Sequence, residues 1–128
     1  MRFMMLMIPK DYATAKPDAR PSVEAVAAMT RYNQELVKAG VMLSGDGLHP
    51  PAMGTRVTFP GGKARITDGP FAEAKEMLGG YWMINVKSRE EAVAWAARCP
   101  ANDGDIIEVR QVFEMVDFPP EVQAAAKL

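Results

Sequence analysis

The chain has a single histidine, His49, and a nearby carboxylate that could serve it in acid–base chemistry. Asp46 precedes His49 by three residues in a glycine- and proline-rich segment. A carboxylate there could orient the imidazole and raise its pKa from about 6.5, which would suit a general base. The alternative is a solvent-exposed loop histidine without a function. A single histidine excludes a two-histidine metal site.

A second candidate is Asp68, which opens an Asp-Gly-Pro-Phe turn at residues 68–71. Proline fixes its own φ and glycine adopts conformations denied to other residues, so the turn is predicted to be rigid. Asp68 could share a pocket with His49, Lys75 and Glu76, as an acid or base or as the anchor for a polar ligand. Alternatively, Asp68 only accepts backbone hydrogen bonds within the turn, and the charged segment is a solvated surface.

Two further side chains are candidates for ligand binding. Tyr81 and Trp82 are adjacent in an apolar segment, so in a strand one faces the helices and the other the opposite side. The one that faces a cavity could line it, although core packing is the alternative. Arg110 could bind an anionic substrate through its bidentate guanidinium, or pair with a neighbouring carboxylate.

Composition restricts the class of protein. The 128 residues suffice for one domain, and a net charge of −1 without a Lys/Arg run disfavours nucleic acid and anionic membranes as partners. The only cysteine, Cys99, excludes an internal disulfide and fits a buried structural thiol in a reducing cytoplasm. The apolar run at residues 1–8 is too short for a membrane span or a secretory signal. No phosphate-binding loop, nucleophile elbow or dinucleotide fingerprint is present, so we expect no cofactor and no metal.

The elements that must position these residues begin with a strand at residues 2–8 that is apolar on both faces. A long loop at residues 10–21 follows, which could cover a site. Ser22 is an N-cap for a helix that ends at Gly40, with an apolar stripe at the spacing of a buried helix face. The stripe contains Val23, Val26, Met29, Tyr32 and Leu36.

Strands are predicted next at residues 41–48, 55–59 and 63–67, the last two joined by a Pro-Gly-Gly hairpin turn. Another strand covers residues 81–86. Ser88 and Glu91 form a capping box that opens a second helix, which Pro100 closes. Its predicted buried stripe contains Ala92, Trp95, Ala96 and Cys99. The closing strand covers residues 106–116, with Ile107, Val109, Phe113 and Met115 on one face.

This order of elements predicts an α+β fold of ferredoxin-like βαββαβ topology with an inserted β-hairpin. We expect one domain at residues 1–118 and a tail at 119–128. The antiparallel sheet carries both helices on one face, yet its first and third main strands are apolar on both faces. A second copy packed face to face would cover the other side, so we expect a homodimer in the form of a dimeric α+β barrel.

Several motifs resemble the YCII-related family, specifically its DGPF branch. The resemblance extends through most of the chain, and the run at residues 67–76 is its most specific part; Gly79-Gly80-Tyr81, residues 88–92, residues 97–100 and residues 107–110 also match. The resemblance implies the same dimeric α+β barrel. Most members have no established activity, and an association with extracytoplasmic-function sigma factors implies a regulatory setting.

Related YCII proteins are thought to use a His-Asp pair with the histidine on the first helix. The first helix of this chain contains Arg31, Tyr32 and Asn33 and no histidine. The pair cannot be transferred, which puts enzymatic activity by that route in doubt.

Three functions remain open from the sequence. The first is the binding of a small polar or apolar metabolite near the Asp68 turn. The second is a cofactor-independent enzyme, such as a lyase, isomerase or monooxygenase, that uses Asp68 and His49 as acid and base. The third is an interaction module whose partner is a sigma factor or another protein.

Overall fold

The computed structural model describes residues 1–71 and 76–126. Its strands are β1 (Arg2–Ile8), β2 (Met42–Gly47), β3 (Thr55–Thr58), β4 (Arg65–Asp68), β5 (Gly80–Asn85) and β6 (Ile106–Gln111). Its helices are α1 (Val23–Lys38), α2 (Arg89–Ala97) and α3 (Pro120–Ala125). Short 3₁₀ turns lie at Tyr12–Thr14, Pro51–Met53, Pro60–Gly62 and Met115–Asp117.

The main sheet has the strand order β2-β5-β1-β6, and every neighbouring pair is antiparallel. β1 and β5 are therefore central, as the split βαβ plan requires. β3 and β4 form a separate two-stranded antiparallel sheet, which is the inserted hairpin. The predicted α+β, ferredoxin-like fold is confirmed.

One face of the sheet packs against the helices and contains the core. The central strands contribute alternate residues to this face, because successive side chains of a strand point to opposite sides. The buried apolar residues include Phe3, Met5, Met7, Trp82, Ile84, Tyr32, Leu36 and Ala92. The Tyr32 hydroxyl donates to the Trp95 carbonyl oxygen at 2.6 Å. Burial of this phenol, with a smaller contribution from Cys99, raises the pKa of Tyr32.

Helix α1 begins at its predicted N-cap, where the Ser22 side chain accepts from the backbone N–H of Ala25 at 3.1 Å. The predicted apolar stripe is buried only in its second half. Val23 is 82% exposed and Val26 is 49% exposed, so their predicted burial was wrong.

Helix α2 begins at its predicted N-cap, where the Ser88 side chain accepts a hydrogen bond from the backbone N–H of Glu91 at 3.1 Å. The Glu91 carboxylate accepts a hydrogen bond from the backbone N–H of Lys87 at 2.9 Å. In a regular capping box it would accept from the N–H of the next residue, Ser88. Cys99 is half-buried beyond the end of the helix. Desolvation, helped by the charge of Asp105, raises the pKa of its thiol to about 11, which fits a structural cysteine.

The closing strand is shorter than the sequence predicted. β6 ends at Gln111, which pairs with Phe3. One further backbone hydrogen bond follows, from the Val112 N–H to the carbonyl oxygen of Arg2, the first residue of β1, at 2.9 Å. Phe113, predicted to share a face with Ile107 and Val109, is 72% exposed and stacks on Phe118 with ring centroids 4.9 Å apart. Glu114 leaves the sheet to accept two hydrogen bonds from Arg2, at 2.6 and 3.1 Å.

The other face of the main sheet has no helix over it among the described residues. Its centre is formed by Met4, Leu6, Tyr81 and Met83, which are only partly buried. We call these four residues the open face. Within residues 1–71 and 76–126, no helix combines the length and apolarity that crossing a membrane requires.

The hairpin is fastened at its base to the segment that follows β2. The Gly69 backbone N–H donates to the Gly54 carbonyl oxygen at 2.8 Å, and the Thr55 hydroxyl donates to Asp68 Oδ1 at 3.0 Å. A Cβ atom on Gly69 would overlap the Pro51 carbonyl oxygen and lie 3.3 Å from Ala52 Cα. The Gly69 φ is not positive, so close approach to Pro51, and not an unusual conformation, is what requires glycine here.

Replacing Gly69 by alanine is therefore expected to destabilise the protein by about 1–3 kcal/mol, since the new methyl group overlaps backbone that cannot rotate away. Urea denaturation measures the change. Gly47→Ala is the matched control, because its Cβ would meet only the Gly79 carbonyl oxygen at 3.9 Å, an ordinary contact. Equal stability of the two variants would contradict the proposed contact between the turn and Pro51.

Candidate functional site

The structure distributes the predicted site residues over three regions. Asp46, Tyr81 and Arg110 lie on the side of the main sheet away from the helices, whereas His49 and Glu76 line a cleft beside the hairpin. Asp68 lies at the base of the hairpin. Lys75 falls outside the described residues, so its predicted role in ligand binding stays a prediction.

Asp46 and Tyr81 are register partners on β2 and β5, and their side chains meet. The Tyr81 hydroxyl donates to Asp46 Oδ2 at 2.8 Å. This hydrogen bond, together with the negative charge of Asp46, raises the pKa of Tyr81. Asp46 was predicted to orient His49, but no hydrogen bond joins the two among the described residues, because Asp46 lies in the strand and His49 in the loop beyond it.

Asp68 accepts a hydrogen bond from Thr55 across the first pair of the hairpin ladder. This agrees with the structural alternative, in which the aspartate holds its own turn. Its carboxylate does not line the cleft that contains His49 and Glu76. A catalytic or ligand-binding role for Asp68 stays a prediction.

The cleft at the base of the hairpin has a volume of about 510 Å³. We call it the hairpin-base cleft. Among the described residues, its ionisable side chains are His49, Arg56 and Glu76. Most of its other described lining residues are apolar: Leu48, Pro50, Pro51, Met53, Phe71, Met77 and Leu78. This mixture of an apolar wall with a few polar groups is typical of small-molecule sites, which range from about 300 to 1,000 Å³.

Arg56 is fixed in the cleft by contacts with two of its apolar residues. Its guanidinium carbon lies 4.2 Å from the centre of the Phe71 ring, a cation–π contact. Its Nη2 is 3.3 Å from Met77 Sδ. A guanidinium held in this way can bind an anionic or carbonyl group of a ligand without first having to be ordered.

A second cavity of about 540 Å³ lies between the loop at residues 10–21 and residues 47–50. We call it the loop pocket. The Tyr12 hydroxyl donates to the Leu48 carbonyl oxygen at 2.6 Å, which ties the loop to the opposite wall. Burial raises the pKa of Tyr12, and the nearby charge of Arg20 partly offsets the rise. A cavity therefore lies beneath this loop, and the role of the loop as the cover of a site stays a prediction.

A smaller cavity of about 180 Å³ lies between α1 and the main sheet. Met29 and Asn33 line it from the helix, and Gly45, Gly47 and Gly80 line it from the sheet. The Trp82 indole N–H donates to Asn33 Oδ1 at 2.8 Å, so the amide is used in packing. Asn33 lies on the first helix, the element on which related YCII proteins were expected to carry a histidine.

Arg110 lies near a carboxylate of its own strand. Its Nε is 3.8 Å from Glu108 Oε2 and its side chain is 73% exposed, so this ion pair contributes little to stability. In the part of the chain that the structure describes, no three His, Cys, Asp or Glu side chains are grouped to hold a metal ion.

Among the described ionisable residues of these cavities, sequence reasoning missed Tyr12, Arg20 and Arg56. No feature of the sequence pointed to Arg56 as a cavity residue, because an arginine on an exposed hairpin strand is ordinarily solvated. The length of the loop at residues 10–21 did give a signal for Tyr12 and Arg20, since long loops in compact domains often carry function.

Comparison with known proteins gives one family. A family model described as the YCII-related domain matches residues 1–116. A search of curated proteins finds no match to the chain.

The Asp46–Tyr81 pair leads to a prediction about pH. Asp46→Asn should lower the pKa of Tyr81 towards its ordinary value of about 10, because the hydrogen bond to an ionised carboxylate and its charge are both lost. Absorbance of tyrosinate during alkaline titration, or NMR of the labelled ring, measures the change. In the wild type, the stabilisation from this pair is present below pH ~10 and is lost as the pH rises through the raised pKa.

Glu108→Gln is the control for this titration, since Glu108 is also on the side of the sheet away from the helices but is not bonded to Tyr81. In the Glu108→Gln variant, the pKa of Tyr81 should equal that of the wild type. An unchanged Tyr81 pKa in Asp46→Asn would show that the hydrogen bond does not persist in solution.

Proposed function

This chain belongs to the YCII-related family, as its motifs predicted, and we propose that it binds a small metabolite in the hairpin-base cleft. The observation that carries the proposal is the convergence of His49, Arg56 and Glu76 on one largely apolar cleft of about 510 Å³. Fold alone would not identify a function, because related folds support many. The side chains of the cleft do limit the ligand.

The ligand we propose has an apolar body and at least one polar group. Phe71, Leu48 and Met53 offer apolar surface to the body. Arg56 and His49 supply donors for a carbonyl or anionic group, while Glu76 can accept from a hydroxyl or amine. A ligand with only one kind of polar group would leave the remaining ionisable side chains desolvated without a partner, at a cost in affinity.

A thermal-shift screen of the purified protein against a metabolite library tests this proposal. A ligand at about a hundredfold excess over its Kd adds ~2.7 kcal/mol to the free energy of unfolding. We expect the shift of a true ligand to be lost or strongly reduced in Arg56→Gln and His49→Gln. Arg65→Gln is the matched control, because Arg65 is an exposed arginine on the same hairpin that does not line the cleft.

Ligand shifts that are the same in Arg56→Gln, His49→Gln and the wild type would contradict the cleft as the site. Asp68→Asn separates the two roles of this carboxylate. Loss of the ligand shift with an unchanged free energy of unfolding in urea would assign the carboxylate to the ligand. Loss of the shift together with a lower free energy of unfolding would assign it to holding the hairpin.

The enzyme alternative is examined with the same compounds. His49 shares its cleft with Glu76, and a carboxylate and an imidazole in one cleft are the groups that acid–base catalysis requires. Turnover of a bound compound that is abolished in His49→Gln would favour a cofactor-independent enzyme. Binding without turnover favours a binding protein in the regulatory, sigma-factor-linked setting that the DGPF branch implies. Silence across the library favours a protein partner.

We also propose that the protein is a homodimer joined through the open face. Met4, Leu6, Tyr81 and Met83 form the centre of a sheet face that no described helix covers. Apolar surface of this kind gains free energy when it is removed from water, at roughly 25 cal/mol per Å². A second copy related by a two-fold axis would cover it with an identical face.

Leu6→Asp should convert the dimer to a monomer at micromolar concentration, because it would place a carboxylate in the desolvated centre of the interface. Sedimentation velocity measures the change. Val23→Asp is the control, since Val23 is 82% exposed at the start of α1, away from the open face. A wild-type monomer at this concentration, or a Leu6→Asp dimer, would refute the interface.

A further inference from the structure

The loop pocket is a second cavity, separate from the hairpin-base cleft, and its walls are held in place. The backbone N–H of Lys10 donates to Asp105 Oδ1 at 2.9 Å at the start of the loop. Tyr12 then bonds the Leu48 carbonyl oxygen across the pocket. Pro9 and Tyr12 also pack on Gly79, whose Cβ would lie 2.6 Å from Pro9 Cγ. The cavity is therefore bounded by fixed contacts on both sides.

Arg20 brings a permanent positive charge to this pocket, and its own loop orients it. Its Nη1 donates to the carbonyl oxygens of Pro17 and Ala19, at 3.3 and 2.8 Å. Among the described residues, Nε and Nη2 have no acceptor, and no carboxylate lies within ion-pair distance. The Nε–Nη2 edge can form two parallel hydrogen bonds with a carboxylate.

The remaining walls limit what such a ligand can be. Most are apolar, formed by prolines, alanines and Leu48, and no described Asp or Glu lines the pocket. A negative group thus meets one guanidinium and no opposing charge. A ligand that is polar throughout would lose hydration at the apolar walls without compensation.

We propose that the loop pocket binds a small monocarboxylic acid with a compact apolar body, anchored through its carboxylate to Arg20. The apolar body lies against the proline, alanine and leucine wall. A phosphate or other polyanion is disfavoured, because one guanidinium edge cannot satisfy its additional oxygens in an otherwise apolar pocket. His49 lines this pocket as well as the hairpin-base cleft and offers a second polar contact.

Titration calorimetry of the full chain with benzoate tests the proposal, with benzamide, acetate and inorganic phosphate as comparison ligands. Benzoate should bind, and both benzamide and acetate should bind about tenfold or more weakly, since one lacks the charge and the other the apolar body. Arg20→Gln should weaken benzoate about tenfold or more. Arg20→Lys keeps the charge but lacks the planar guanidinium, so its affinity for benzoate should lie between those of the wild type and Arg20→Gln.

Two control variants should bind benzoate as the wild type does. Arg31→Gln removes an exposed arginine of α1 that does not line the pocket, and Arg56→Gln removes the guanidinium of the hairpin-base cleft. The second control keeps this proposal distinguishable from the proposed function. A loss of benzoate binding in Arg56→Gln but not in Arg20→Gln would overturn the loop pocket as the carboxylate site.

Three other results would also overturn it: no benzoate binding at millimolar concentration, equal affinity for benzamide and benzoate, or phosphate binding more tightly than benzoate. Arg20 is exposed and bonds only its own loop, so its variants should fold. Their thermal unfolding, compared with that of Arg31→Gln, verifies this.

Discussion

The arrangement of the cavities depends on one close contact, in which Gly69 lies against the backbone of Pro51. This contact fixes the base of the hairpin to the segment that leaves β2. Arg56, Phe71 and His49 line one cleft beside this contact. A side chain at Gly69 would separate these walls, so the turn sets the geometry of the cleft even though Asp68 does not line it.

Much of the fold could be predicted from the sequence, because local patterns determine where elements begin and end. Ser22 and Ser88 cap their helices as expected, and β1 has the predicted bounds. The failures lie where an element needs a distant partner. β6 ends at Gln111 although the predicted strand continues to residue 116, and Val23 is exposed although its spacing fits the buried stripe of α1. The end of a strand and the burial of a helix residue thus depend on how the whole sheet is assembled.

The candidate site was less predictable for the same reason. Asp46 and His49 are close in sequence, yet strand pairing directs Asp46 to Tyr81, a residue far along the chain. Glu76 and His49 line one cleft, but Asp68, which was predicted to share a pocket with them, does not line it. Arg56 reaches its cavity through hairpin geometry that no local pattern encodes, and only the length of the loop at residues 10–21 pointed to Arg20. Residue types indicate which chemistry is available, whereas register and turns decide which groups meet.

Residues 48–50 line both the hairpin-base cleft and the loop pocket, and they form a common partition between them. A ligand that shifts this partition from one side changes the shape of the other cavity. Thermodynamic linkage makes such an effect mutual: if the first ligand alters the affinity for the second by some factor, the second alters the first by the same factor. Pro50 fixes one backbone angle of this partition. A shared wall would thus couple the two proposed binding sites.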